Sequence, residues 1–119
     1  MYWFNPLFLI PVICGPIYIL TGWLMLKYPP KEINGLYGYR TNSSMKSKER
    51  WEFAQKFGAN QLIKWGAIMF VSSGLGLFFQ FTEMISLILA LGILVILSIF
   101  PIVITERAIK DKFEGKGDL

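Results

Sequence analysis

Three apolar runs, each long enough to cross a bilayer, fill more than half of this 119-residue sequence. From Met1 to Leu26 no side chain is charged. Residues 61–81 carry one charge, Lys64, near their start. Residues 85–104 carry none. A hydrocarbon core of about 30 Å takes about 20 residues of helix, and only a helix or a closed barrel satisfies its own backbone there. The composition is 54% hydrophobic and 17% charged. A water-soluble domain of this length could not bury so much apolar surface. The expectation is an all-α membrane protein forming a single domain, residues 1–119, with three transmembrane helices. Their expected ranges are about 3–26, 61–81 and 85–104. The first run lacks a basic leading region and a small-residue cleavage site, so it reads as a span and not as a signal peptide.

Details within the runs predict how they pack. Pro6 suits a first helical turn, whereas Pro11 and the Gly15-Pro16 pair predict a bend or local opening. Lys64 can reach the interface along its own stem. Thr82, Glu83 and Met84 make a minimal turn, which predicts an antiparallel hairpin of the second and third helices. Ser72, Gly76, Ser86 and Ala90 have the small-xxx-small spacing that lets two membrane helices approach closely. Cys14 lies alone within the first run and reads as inert packing.

Charge predicts the orientation. Between residues 27 and 60 lie Lys27, Lys31, Arg40, Lys46, Lys48, Arg50 and Lys56; the tail, residues 105–119, holds Arg107, Lys110, Lys112 and Lys116. The two opposite ends hold no basic side chain. Under the positive-inside rule the loop and tail face the cytoplasm and the N-terminus faces out. Tyr2, Trp3 and Phe4 then fit an outer aromatic belt, and Trp23, Tyr28 and Trp65 an inner one. The formal charge of +4 is accounted for by this topology and by membrane lipid headgroups, and a nucleic-acid partner is not expected. The tail is expected to extend the third helix by two or three turns and then fray.

The loop, residues 27–60, has two parts. Tyr28-Pro29-Pro30 stops the first helix. Asn34-Gly35 reads as a tight turn. From about Ser44 the pattern becomes that of an amphipathic helix of roughly four turns, with Ser43, Ser44 or Ser47 as N-cap. Lys48, Glu49, Glu52, Gln55 and Lys56 are assigned to its wet side. Trp51, Phe53, Ala54, Phe57 and Gly58 are assigned to its apolar side, with Arg50 as an intruder. It is expected to lie on the inner membrane surface and then bend or continue into the second span. Gly38, between Tyr37 and Tyr39, reads as a backbone position that admits no side chain. Arg40 can clamp a carboxylate, a phosphate or the carbonyls of a helix end, either bracing the bundle or binding a ligand.

Catalytic equipment is sparse. There is no histidine, so neither the commonest general base nor the commonest zinc ligand is present. No His/Cys/Asp/Glu cluster has metal spacing, and no glycine-rich loop matches a phosphate cradle. Glu83 and Glu106 lie near opposite ends of the third span, too far apart to act as a catalytic pair. The expectation is a non-enzyme without a cofactor.

Asn34, Tyr37, Gly38, Tyr39, Arg40 and Thr41, followed by Ser44, Met45, Ser47, Glu49, Trp51 and Gly58, together resemble the signature of the SdpI family of bacterial membrane proteins. Two positions depart from it: Asn42 stands where proline is frequent, and Gln55 where some members have histidine. The resemblance implies a short, single-unit form in the bacterial cell membrane that gives immunity to a secreted toxin peptide. It marks Asn34, Tyr37, Gly38, Tyr39, Arg40, Thr41, Ser44, Met45, Trp51 and Gly58 as structural or binding residues. Two other readings stay open. One is a receptor that sequesters a cytoplasmic regulator such as a repressor, and the other is a lipid-binding accessory protein.

Overall fold

The computed structural model describes residues 5–79 and 81–115, so Tyr2, Trp3, Phe4 and the last four residues of the tail lie outside the described residues. Those described are helices joined by loops and turns, with no strand among them. Helix α1 spans Pro6–Lys27, α2 Lys48–Ser72, a single turn α3 Leu75–Phe78, and α4 Glu83–Lys110, which runs on into a wider turn at Asp111–Gly115. Three helical stretches, Pro6–Lys27, Lys48–Phe78 and Glu83–Glu114, are long and apolar enough to cross a membrane. In the most apolar part of the third, only 11% is buried within the protein. Most of that helix is therefore left to face lipid.

Each helix that spans begins on a side-chain cap. Asn5 accepts from the Leu7 amide at 2.9 Å, and Pro6 occupies the first helical position. Ser47 accepts from the Arg50 amide, and Thr82 from the Ile85 amide. Helix α1 continues through Pro11 and Pro16 and ends before Pro29. The ends of the bundle follow from a few polar links. Asn5 donates to the Gly76 carbonyl, joining the start of α1 to α3. Tyr18 of α1 bonds Ser98 of α4. The loop between α1 and α2 meets the far end of α4. The three spans therefore alternate in direction.

Close helix contact occurs in a different place from the one the sequence pattern predicts. The tight seam is between α1 and α2. A Cβ built on Gly66 would lie 2.8 Å from the Gly15 carbonyl oxygen, and one on Gly15 would lie 2.8 Å from the Gly66 carbonyl oxygen. These backbones touch, which small residues alone permit. Gly76 packs on the backbone of Leu7 and Phe8 in α1. Ser86 and Ala90 are buried, as expected of small interface residues.

Two further boundaries differ from expectation. The amphipathic segment continues directly into the second span, one of the two courses expected for it, as α2 runs unbroken from Lys48 to Ser72, but it forms no surface helix of its own among the described residues. Trp51, Ala54, Gly58 and Ala59 are buried against the protein, which turns the amphipathic face inward and aligns it with the span. The second span also breaks early. Ser72 and Ser73 turn their hydroxyls onto the Met69 and Phe70 carbonyls, both at 2.6 Å. Such back-bonding bends helices, and the chain turns at Ser73-Gly74 before resuming as α3.

Candidate functional site: a loop locked to the bundle end

Residues 28–47 link α1 to α2 without a helix or strand. Loops of this length within a compact unit are uncommon and usually functional. This one is ordered stepwise from its sequence. The Asn34 side chain accepts from the amides of Leu36 at 2.9 Å and Tyr37 at 2.7 Å. Those bonds close the turn that Asn34-Gly35 predicts. The Tyr37 hydroxyl reaches back to the Tyr28 carbonyl at 2.9 Å. Gly38 then adopts φ +108°, in the region that favours glycine. A Cβ there would also collide with the Gln55 carboxamide and come within 2.8 Å of Pro30.

The Gly38 turn delivers Tyr39 to α2. The Tyr39 amide donates to Gln55 Oε1 at 2.6 Å, and Gln55 Nε2 donates to the Tyr39 carbonyl at 2.7 Å. A carboxamide has one acceptor and one donor group side by side, so it pairs with a peptide as a neighbouring strand would. Four residues earlier on α2, Trp51 is fully buried and donates its indole N–H to the Pro30 carbonyl at 2.6 Å. The Tyr39 ring covers Gly58, where an added Cβ would come 3.2 Å from ring carbon Cδ2.

Helix α4 supplies the acceptor at the other side. The Tyr39 hydroxyl donates to Glu106 Oε2 at 2.6 Å, and the Thr41 hydroxyl donates to the same oxygen at 2.7 Å. Burial raises the Tyr39 pKa well above the ordinary phenol value, and the Glu106 carboxylate adds to that rise as hydrogen-bond acceptor and as charge. The proton therefore stays on the phenol, where it serves as a donor. Ser44, fully buried, accepts from the Thr41 amide at 2.9 Å, while its own amide donates to Thr41 Oγ1. The Met45 amide donates to the Thr41 carbonyl at 3.0 Å, completing a turn that leads into α2. Beyond it, Arg50 pairs with Glu114 at 3.0 Å, tying α2 to the end of α4.

Asn34, Tyr37, Gly38, Tyr39, Thr41, Ser44, Met45, Trp51 and Gly58 thus belong to one connected construction. Arg40 makes neither of the bracing contacts considered for it, to an acid or to a helix end, among the described residues. Its guanidinium Nε donates to the Asn34 carbonyl at 3.1 Å, and the side chain is exposed. It clasps the loop to itself. The acid belongs to its neighbours: Tyr39 and Thr41 share Glu106. Gln55 is a second correction, because polarity assigns it to the wet side and it is 2% exposed. At 100° per residue it lies about 40° from Trp51 and about 60° from Gly58, so the helical wheel itself holds that signal. Glu49, Glu52 and Lys56 are exposed, Trp51 is buried, and Phe57 is half-buried against Phe53. Glu106 has a weaker signal: it is the first acid after the third apolar run, at the end that carries the loop.

What this arrangement does chemically is hydrogen-bond and hold. Among the described residues no three His, Cys, Asp or Glu side chains gather as a metal site would require. Comparison with known proteins covers both the loop and the spans. The pattern of the SdpI/YfhL protein family matches residues 31–105. The uncharacterized protein YfhL of Bacillus subtilis (strain 168) is 31% identical over 103 residues, covering 87% of this chain and 88% of that protein. No solved structure matches.

Proposed function

The chain belongs to the SdpI/YfhL family, and on that premise we propose that it protects its host's membrane against a secreted antimicrobial peptide, without catalysis. The observation that carries this reading is the family match itself, which covers residues 31–105, that is most of the loop, α2, α3 and most of α4. The chain is a multi-pass membrane protein. In the proposed orientation the loop and tail lie in the cytoplasm and the N-terminus outside, because basic residues concentrate at that one end. The locked loop holds α1, α2 and α4 in a fixed relation at the inner face. Protection then depends on how the three helices present themselves to the peptide or to the lipid around it.

Expression in a peptide-sensitive bacterial host, followed by peptide challenge at matched protein level, tests the proposal. The wild type should confer resistance. No resistance at normal protein level, to any peptide of this toxin class, would sink it and leave sequestration of a cytoplasmic regulator as the leading reading. Arg40→Lys keeps the charge and loses the planar fork. Because Arg40 is exposed and holds one backbone carbonyl, Arg40→Lys and Arg40→Ala should leave protein level unchanged. Lost protection in either variant would then identify a binding role. Orientation has its own test, with single cysteines from Lys46→Cys and Met84→Cys in a Cys14→Ser background. An impermeant thiol reagent on intact cells should label position 84 and spare position 46.

A further inference from the structure

Thr21 and Thr105 are both helical threonines near the loop end of the bundle, and they differ in one respect. Thr21 is exposed and returns its hydroxyl to the Ile17 carbonyl at 2.8 Å, as helix threonines commonly do. Thr105 is 0% exposed, and its hydroxyl has no partner among the described residues. An unmet buried hydroxyl is destabilising. Thr105 forms part of the wall of a cavity of about 410 Å³ enclosed by α1, α2, α4 and the loop, which Tyr18, Thr21, Ser98, Ile102 and Arg40 also line. That volume is in the range of small-ligand sites, roughly 300–1,000 Å³. Arg40 engages only its Nε, so the terminal amino groups of its guanidinium have no partner among the described residues.

We propose that this cavity binds one phospholipid, with the phosphate on the Arg40 guanidinium and, as the side chains that cover Thr105 shift to admit it, an ester carbonyl on the Thr105 hydroxyl. Depth and chemistry select that occupant. Tyr18 lies about two and a half helical turns before the end of α1 at Lys27. The cavity thus extends from the charged rim into the apolar span, matching a headgroup above and esters and first methylenes below. Its mouth is lateral: Thr21 and Ile102, on the two helices that flank it, are exposed. Ile17 and Ile102, 53% and 49% exposed, offer apolar surface for acyl chains too large for the cavity. Arginine suits a phosphodiester because its fork donates two parallel bonds. Glu106 is the neighbouring negative charge. It does not line the cavity, and its Oε2 already accepts from Tyr39 and Thr41. The site stands independently of the protective function.

Native mass spectrometry of the full-length protein, released from detergent and titrated with dioleoyl phosphatidylglycerol, tests the assignment. The wild type should retain one lipid preferentially. Arg40→Ala should weaken that first binding about tenfold, and Thr105→Val, nearly the same shape without the hydroxyl, should weaken it several-fold. Lys48→Ala removes an exposed lysine away from the cavity and should bind as wild type. Thermal unfolding of each variant separates lost binding from lost fold, and Thr105→Val should unfold no earlier than wild type. Wild-type affinity in either cavity variant overturns the proposal. So does displacement of the lipid by millimolar inorganic phosphate, which would assign Arg40 to a free anion.

Discussion

Between Gly15 and Gly66 two helices touch backbone to backbone. At the loop end, Tyr39, Thr41, Gln55, Trp51 and Glu106 hold a long irregular segment through side-chain hydrogen bonds. The two regions answer different solvents. In lipid, apolar side chains gain little by leaving the surroundings for a partner helix, so association rests on closeness, and glycine provides it. At the end of the bundle the loop backbone has no ladder of its own. Each peptide group withdrawn from water needs a partner, and α2 provides partners as the Gln55 carboxamide and the Trp51 indole, while the Glu106 carboxylate of α4 takes the loop's side-chain hydroxyls.

The largest way to break the loop end is Trp51→Ala. It removes the anchor and strands the Pro30 carbonyl. Buried Trp to Ala changes cost about 3–5 kcal/mol, and denaturant or thermal unfolding in detergent should show that loss. The seam should break by a different route. Gly66→Val forces a side chain against the Gly15 carbonyl and pushes α1 and α2 apart. Overpacking of that kind costs about 1–3 kcal/mol and should lower stability while the loop contacts persist. If Gly66→Val proves neutral, the seam does not hold the spans.

A finer comparison concerns Tyr39 and Glu106, which share one short bond. A double-mutant cycle of Tyr39→Phe and Glu106→Ala should return a coupling of about 0.5–3 kcal/mol. Strict additivity would mean that the loop is held elsewhere. The smallest expected effect is at Glu52, which is exposed on α2. Unfolding of Glu52→Gln should differ from wild type by about 0.5 kcal/mol or less.

How far each region is legible in the sequence follows from the same physics. Three spans are written in the length of uncharged runs, because burial in hydrocarbon is a property of whole segments. The stop at Pro29-Pro30 and the turn at Asn34-Gly35 are local chemistry and are readable as such, and the cap is narrowed to three serines, of which Ser47 takes the role. The seam is not. Small residues recur on every span, and spacing alone favours Ser72, Gly76, Ser86 and Ala90 over Gly15 and Gly66, which a tertiary contact brings together. Early termination of α2 is hidden within an apolar run, where Ser72-Ser73-Gly74 interrupts helix without interrupting hydrophobicity. At the loop, Gly38 announces its own backbone, whereas the partner of the loop does not announce itself. Arg40 is the strongest donor in the segment, yet the acid goes to the hydroxyls on either side of it. Gln55 looks wet by polarity, although its helical position places it beside Trp51. A polar side chain on a buried face signals a backbone to be satisfied, and here that backbone is Tyr39.

The loop is a fixed part of the bundle, held at Tyr39 by Gln55. Amide hydrogen exchange of the full-length protein in lipid nanodiscs tests it directly. The amides of Tyr39 and Thr41, bonded to Gln55 and Ser44, should exchange far more slowly than those of the exposed segment 31–33. Gln55→Leu, which nearly keeps the volume and removes both bonds to Tyr39, should release that protection at Tyr39. Exchange at Tyr39 as fast as at residues 31–33 in the wild type, or protection unchanged in Gln55→Leu, would contradict the account.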